Sequence, residues 1–134
     1  MWNTLNNEES LKVFLERVAY FHDSCLQSFS FVSGAYVDSR LAMHPINDKR
    51  TLCMVFQRQF EDFTNFEMEF SGLKSLYYVP TDPLYTCEIE SVNMYFKDEL
   101  IYFEHDSCLI SDEIGQTIIN SVCAERCRWR IIFD

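Results

Sequence analysis

The chain has 134 residues, of which 48% are apolar, 24% charged and 16% aromatic, enough apolar side chain for one compact core and too much for a disordered chain. Eleven Lys and Arg against 21 Asp and Glu leave a net charge of −10, a field that repels phosphate backbones and anionic lipid and so excludes nucleic acid and membrane surfaces as partners. Three glycines, three prolines and no Gly/Ser/Pro-rich linker argue for a single domain over residues 1–134.

The first ten residues, from Met1 to Ser10, carry no basic segment followed by an apolar one, so no export or transit signal is readable and a cytoplasmic protein is expected. Residues 8–21 then place Leu11, Phe14, Leu15, Val18 and Phe21 three and four apart, with Glu8, Glu9, Lys12, Glu16 and Arg17 elsewhere on the wheel. That spacing predicts an amphipathic helix. Asn6 or Asn7 caps it, and Glu8 and Glu9 complement the positive end of its dipole.

After the helix the period falls to two, which predicts strands for most of the remaining chain. Residues 26–37 are rich in Phe, Val and Tyr, with a bulge expected at Ser33-Gly34-Ala35. Residues 38–50, with Pro45, Asn47 and Asp48, read as a loop. Residues 51–60 are apolar on both faces, as in a central strand. Phe66, Met68 and Phe70 alternate with Glu67 and Glu69, and the run resumes from Leu73 to Val79. Pro80-Thr81-Asp82-Pro83 ends it as a turn. Tyr85, Cys87 and Ile89 alternate with Thr86, Glu88 and Glu90. Met94, Tyr95 and Phe96 then lead through Lys97-Asp98-Glu99 into a hairpin with residues 100–106. The tail, residues 122–134, puts Arg126, Arg128 and Arg130 on one face and Cys127, Trp129, Ile131 and Phe133 on the other. With no helix between strands to carry a parallel crossover, the expected fold is α+β: an N-terminal helix packed on a curled, mainly antiparallel sheet of about six strands.

Six cysteines, at positions 25, 53, 87, 108, 123 and 127, do not suggest a disulfide framework in a chain with its own core. Cys25, Cys53 and Cys87 lie within apolar alternation and are expected to be buried, reduced thiols. The pentapeptide His22-Asp23-Ser24-Cys25-Leu26 recurs letter for letter as His105-Asp106-Ser107-Cys108-Leu109. If the two segments meet, His22, Asp23, His105 and Asp106 offer a metal-ligand set and, with it, metal-dependent hydrolysis. Against that, the spacing lacks the close cysteine pairs of structural zinc sites; Cys123 and Cys127 are the nearest approach. The bland alternative makes each His-Asp-Ser a strand boundary whose short polar side chains bond nearby backbone.

Glu67, Glu69, Glu88 and Glu90 alternate on two expected strands, and Glu104 and Asp106 lie on a third. Two carboxylates about 5 to 10 Å apart in a cleft would suit glycoside hydrolysis, but the same pattern describes the solvated face of a sheet, with Arg126, Arg128 and Arg130 as cross-strand partners. A Cys–His nucleophilic pair built on Cys25 or Cys108 lacks any local feature that would lower a thiol pKa. Phosphate loops, H-E-x-x-H and G-x-S-x-G are absent. An enzyme is therefore not favoured and no cofactor is expected.

Twelve Phe, seven Tyr and two Trp are a heavy aromatic load, and Tyr95 and Tyr102 are of the amphipathic kind enriched at protein interfaces. Phe21-His22-Asp23-Ser24, Phe31-Val32-Ser33-Gly34-Ala35-Tyr36, Phe56-Gln57-Arg58-Gln59, Glu69-Phe70-Ser71-Gly72-Leu73 and Arg126-Cys127-Arg128-Trp129-Arg130 span most of the chain. In these segments it resembles a family of small uncharacterised bacterial proteins, a domain of unknown function. The same order of segments is similar to that of certain immunity proteins of bacterial polymorphic toxin systems. The resemblance implies a fold and a neighbourhood, and no site. It fits the acidic charge, because an acidic inhibitor can occupy the groove of a basic toxin. The expectation is a non-enzymatic cytosolic protein-binding module, an immunity-like inhibitor of a basic protein, using Glu67, Glu69, Glu88, Glu90, Tyr95 and Tyr102. The alternative is the metal-binding domain above; a homodimer formed by sheet-edge pairing is a third arrangement.

Overall fold

A computed structural model describes residues 1–109 and 116–133. The chain opens with a three-residue strand, Asn3–Leu5 (β1), and enters a helix, Glu8–Arg17 (α1), capped by Asn7. The Asn7 carboxamide accepts from the Ser10 backbone N–H at 2.7 Å while the Asn7 N–H donates to the Ser10 hydroxyl at 3.1 Å, a reciprocal cap that satisfies two otherwise orphaned donors. The helix stops four residues before its expected end. Ala19, Tyr20 and Phe21 all take positive φ (53°, 54° and 65°) in a tight turn that reverses the chain and drops Phe21 into the core.

The strands follow as Ser24–Val32 (β2), Tyr36–Val37 (β3), Met43–His44 (β4), Thr51–Arg58 (β5), Asn65–Tyr77 (β6), Val92–Lys97 (β7), Leu100–Leu109 (β8) and Gln116–Ile132 (β9). Six of them form an antiparallel sheet in the order β2-β5-β6-β9-β8-β7, and β1 joins it as a seventh strand, pairing with β9 beyond the end of β8. The N-terminal helix packs on this curled sheet, as the amphipathic and alternating patterns predict. The strand beyond the expected six is β1, too short for any period to show. Sheet curl brings the two ends of the strand order together at one point, where the Ile89 N–H donates to the Ser24 carbonyl at 2.8 Å.

Alternation builds the core directly. Inward residues of β5, β6 and β9 line up in three rows: Phe56–Phe66–Ile131, Met54–Met68–Trp129 and Leu52–Phe70–Cys127. Phe14 and Phe21 pack down onto them, Phe14 lying 5.0 Å from Trp129 and Phe21 5.2 Å from Phe56 between ring centroids. Phe103 of β8 closes the curl against Phe56 and Phe70. A bulge between Leu73 and Ser75 of β6, beside Gly72 at φ +63°, adds one residue to that strand and sharpens the local twist.

Four local expectations change. Residues 38–50 are not a plain loop: β3 and β4 pair within residues 36–44, extending the β2–β5 connection as an arm. Ser33-Gly34-Ala35 is the break between β2 and β3 rather than a bulge inside one strand. Residues 85–90, expected as a strand, are irregular apart from the single bridge at Ile89, because no neighbour lies alongside to complete a ladder; β7 begins only at Val92. Among the thiols, all six cysteines are free, but Cys87 is exposed and Cys25 and Cys53 are only half-buried, whereas Cys123 and Cys127 are buried.

Candidate functional site

The outward positions of β6 and β9 carry a charge ladder. Glu67 opposes Arg130 and Glu69 opposes Arg128 in register, and the Nε atoms of Arg130 and Arg128 donate to Glu67 and Glu69, the latter at 2.9 Å. Trp2, carried outward just before β1, lies over both guanidinium groups at 4.1 and 4.3 Å, a cation–π cover on the pair of ion pairs. Further along β9, Glu125 gathers Lys74 at 3.1 Å, Arg126 at 3.4 Å and Arg50 at 3.8 Å. The Lys74 hydrogen bond and charge hold the Glu125 carboxyl below its ordinary range. Glu67 and Glu69 thus serve the cross-strand role that the alternating arginines suggest, and their charge is compensated within the sheet.

The other candidate residues lie elsewhere. Glu88 and Glu90 are exposed on the irregular segment before β7, and together with Asp106 they line one shallow concavity of about 150 Å³. Tyr95 and Tyr102 oppose each other on β7 and β8, their rings stacked at 4.9 Å and 4°. Partial desolvation and the neighbouring Glu104 raise the Tyr95 phenol above its ordinary pKa. The hydrogen bond to Cys123, followed by desolvation, raises that of Tyr102. Glu104, on the same strand, accepts from the Asn93 carboxamide at 3.0 Å. β6 is flanked by β5 and β9, so Glu67 and Glu69 do not share a strand pair with Glu88 and Glu90, and the six residues form two surfaces rather than one.

The repeated pentapeptides approach each other without making a metal centre. Leu26 of the first copy and His105, Asp106 and Ser107 of the second line a common cavity of about 180 Å³, closed by residues of the 78–89 segment, among them Tyr78, Cys87 and Ile89. His22 and Asp23 precede β2 and are exposed, while His105 is buried and Asp106, its neighbour on the strand, is exposed. His105 and Asp106 therefore point to opposite faces. Among the described residues, no group of three His, Cys, Asp or Glu could hold a metal ion. What the two copies share is the serine: Ser24 and Ser107 are both buried. Ser107 accepts from the Asn120 carboxamide at 2.6 Å, whose oxygen accepts from the Val79 N–H at 2.7 Å, so the second copy is tied into the fold. Burial depresses the His105 imidazole pKa, and its Nε2 has no hydrogen-bond partner among the described residues. Burial also raises the Cys25 and Cys127 thiols, the reverse of what a nucleophile needs.

A groove of about 750 Å³ opens where β9 passes from its pairing with β8 to its pairing with β1, lined by Leu5, Asn7, Glu69, Phe96, Arg126 and Arg128 among others. Of the charged groups that line it, Glu69, Glu125, Arg126 and Arg128 are ion-paired, whereas Glu8 and Glu99 make no ion pair among the described residues.

The feature that sequence reasoning passed over is the charge asymmetry between the two halves of the sheet. Among the described residues, seven of the eleven Lys and Arg, namely Arg17, Arg50, Arg58, Lys74, Arg126, Arg128 and Arg130, are ion-paired. Residues 81–109, which hold β7, β8 and the segment before them, carry seven carboxylates against Lys97 alone, hence six of the ten net negative charges. A count by segment would have shown it, but which strands sit beside one another was needed to make the segment a surface.

No family model, no curated protein and no solved structure matches the chain.

Proposed function

We propose that the protein is a non-enzymatic, cytoplasmic binding module whose acidic, tyrosine-bearing β7–β8 face docks a basic protein, in the manner of an immunity-like inhibitor. The observation that carries this reading is the segregation of charge: cations are gathered on β5, β6, β9 and the helix side, and the carboxylates of residues 81–109 make no ion pair among the described residues. Such a surface accelerates encounter with a positively charged partner and rejects acidic ones. The stacked Tyr95–Tyr102 pair adds rigid amphipathic contact area within it. Six free thiols are in keeping with a reducing compartment. Within this reading Glu88, Glu90, Tyr95 and Tyr102 contact the partner, and Glu67 and Glu69 hold the sheet.

The test is capture of partners from a lysate of the source cell at low and moderate salt. The expected result is a basic protein recovered near stoichiometrically, released as salt rises, and lost with the Glu104→Lys/Asp106→Lys double variant but retained with Glu67→Gln. Capture that ignores both salt and the double variant, or no basic protein at all, refutes the reading.

A further inference from the structure

Residues 24–37, Ser24 through Val37, contain no charged side chain in a chain whose net charge is −10. They form β2, the edge of the sheet, and the first half of the arm. β2 pairs with β5 on one side only; on the other, Ser24 bridges Ile89, Leu26 borders the cavity closed by the 78–89 segment, and the Phe29 ring packs on Tyr78 at 5.1 Å, but no strand pairs with its backbone among the described residues. The bulge at Gln27 lies near its start and leaves Ser28–Val32 in regular register, so the backbone groups of that stretch facing away from β5 have no partner among the described residues. Exposed strand edges are ordinarily protected by lysine, proline or a bulge placed along the edge, and Ser28–Val32 has none of these.

The same region presents apolar side chains to water. Phe31, Val32, Tyr36 and Val37 are each about half exposed, and Leu41 and Met43 at the turn of the arm are 85% and 69% exposed. At about 100 Å² apiece these six offer roughly 600 Å² of largely apolar surface, and with the edge backbone they approach the ~800 Å² per partner of a standard interface.

We infer that this edge is closed by a second copy of the chain, β2 against β2, with the two arms flanking the new ladder. A two-fold axis perpendicular to the strand makes identical strands antiparallel, so one free edge completes another without any additional surface. Charge selects the occupant: two molecules of net charge −10 repel unless they meet through a neutral surface, and 24–37 is neutral throughout. A basic partner gains nothing electrostatically here and is drawn to residues 81–109 instead. The inference stands apart from the proposed function, because it concerns the other edge of the sheet.

The test is the solution mass of the full chain by light scattering across a concentration series, with Val32→Lys and Val37→Lys variants and far-ultraviolet circular dichroism to confirm that each is folded. The expected result is twice the 15.9 kDa monomer mass for the unaltered chain, and a shift to the monomer for both folded variants. The inference is overturned by a monomer up to about 100 μM, since interfaces of this size hold at micromolar concentration or below. It is equally overturned by a dimer that both folded variants leave intact, or by one dissociated by Tyr95→Lys on the opposite edge.

Discussion

Replacing Phe14 with alanine tests whether a single aromatic side chain docks the helix on the sheet. The helix has ten residues and buries only Leu11 and Phe14, and a helix this short has little stability of its own in water. Phe14 is fully buried, with ring centroids 5.0 Å from Trp129, 5.7 Å from Phe21 and 6.2 Å from Phe66. Removing a phenyl ring from such a site costs about 3–5 kcal/mol in lost transfer energy and residual cavity, and three aromatic neighbours place this case near the upper end. A loss of about 4 kcal/mol would remove a large part of a typical domain stability of about 5–15 kcal/mol and lower Tm by roughly 10–20 °C. Urea unfolding followed by circular dichroism and by tryptophan fluorescence reads it directly, because Trp129 is itself in the cluster. Val13, the preceding residue, is 54% exposed, and Val13→Ala should change stability by no more than about 0.5 kcal/mol. A Phe14→Ala cost below about 1 kcal/mol, or one equal to that of Val13→Ala, would refute the view that this contact docks the helix.

Two further outcomes follow from the same geometry. His105 is buried with its pKa below the ordinary 6.5, so the unfolded chain binds the proton more readily; stability should be full above pH 6.5 and fall as pH drops toward the depressed folded value. That slope should flatten in His105→Gln in pH-dependent urea melts, and an unchanged slope would remove His105 as its source. A double-mutant cycle on Glu69 and Arg128, whose side chains are 20% and 43% exposed, should return a coupling of about 0.5–1 kcal/mol that shrinks in high salt. A coupling near zero at low salt would make the ladder ornamental and return Glu69 to the candidate binding surface.

How much of this was readable beforehand depends on the range of the interaction involved. Leu11, Phe14 and Val18 announce the helix because the residues that share its face are three and four apart in sequence. Phe66, Met68 and Phe70 against Glu67 and Glu69 announce both faces of β6 because side chains in a strand alternate whatever the neighbour. Arg126, Arg128 and Arg130 on one face of β9 are likewise local, and that they meet Glu67 and Glu69 follows once β6 and β9 are paired. The segment at Tyr85, Cys87 and Ile89 alternates just as well and is not a strand, since alternation describes a face and a ladder needs a second chain beside it. Conversely, residues 116–121 hold Asn120 inward and expose Ile119, a pattern that hides a strand which β8 nonetheless completes.

The sequence by itself therefore determined the α+β class, the capped helix, the faces of the central strands and the acidic balance. Each is set by residues near one another in the chain or by composition. Only the tertiary structure decided that Glu67 and Glu69 are compensated while the carboxylates of residues 81–109 make no ion pair among the described residues, that His105 and Asp106 face apart, and that the backbone of Ser28–Val32 lacks a second partner strand among the described residues. Those outcomes depend on which strands lie side by side, and that choice is made by the burial of Phe14, Phe21, Phe56, Phe66 and Phe103 in one cluster drawn from five separate segments, a collective energy that no local pattern encodes.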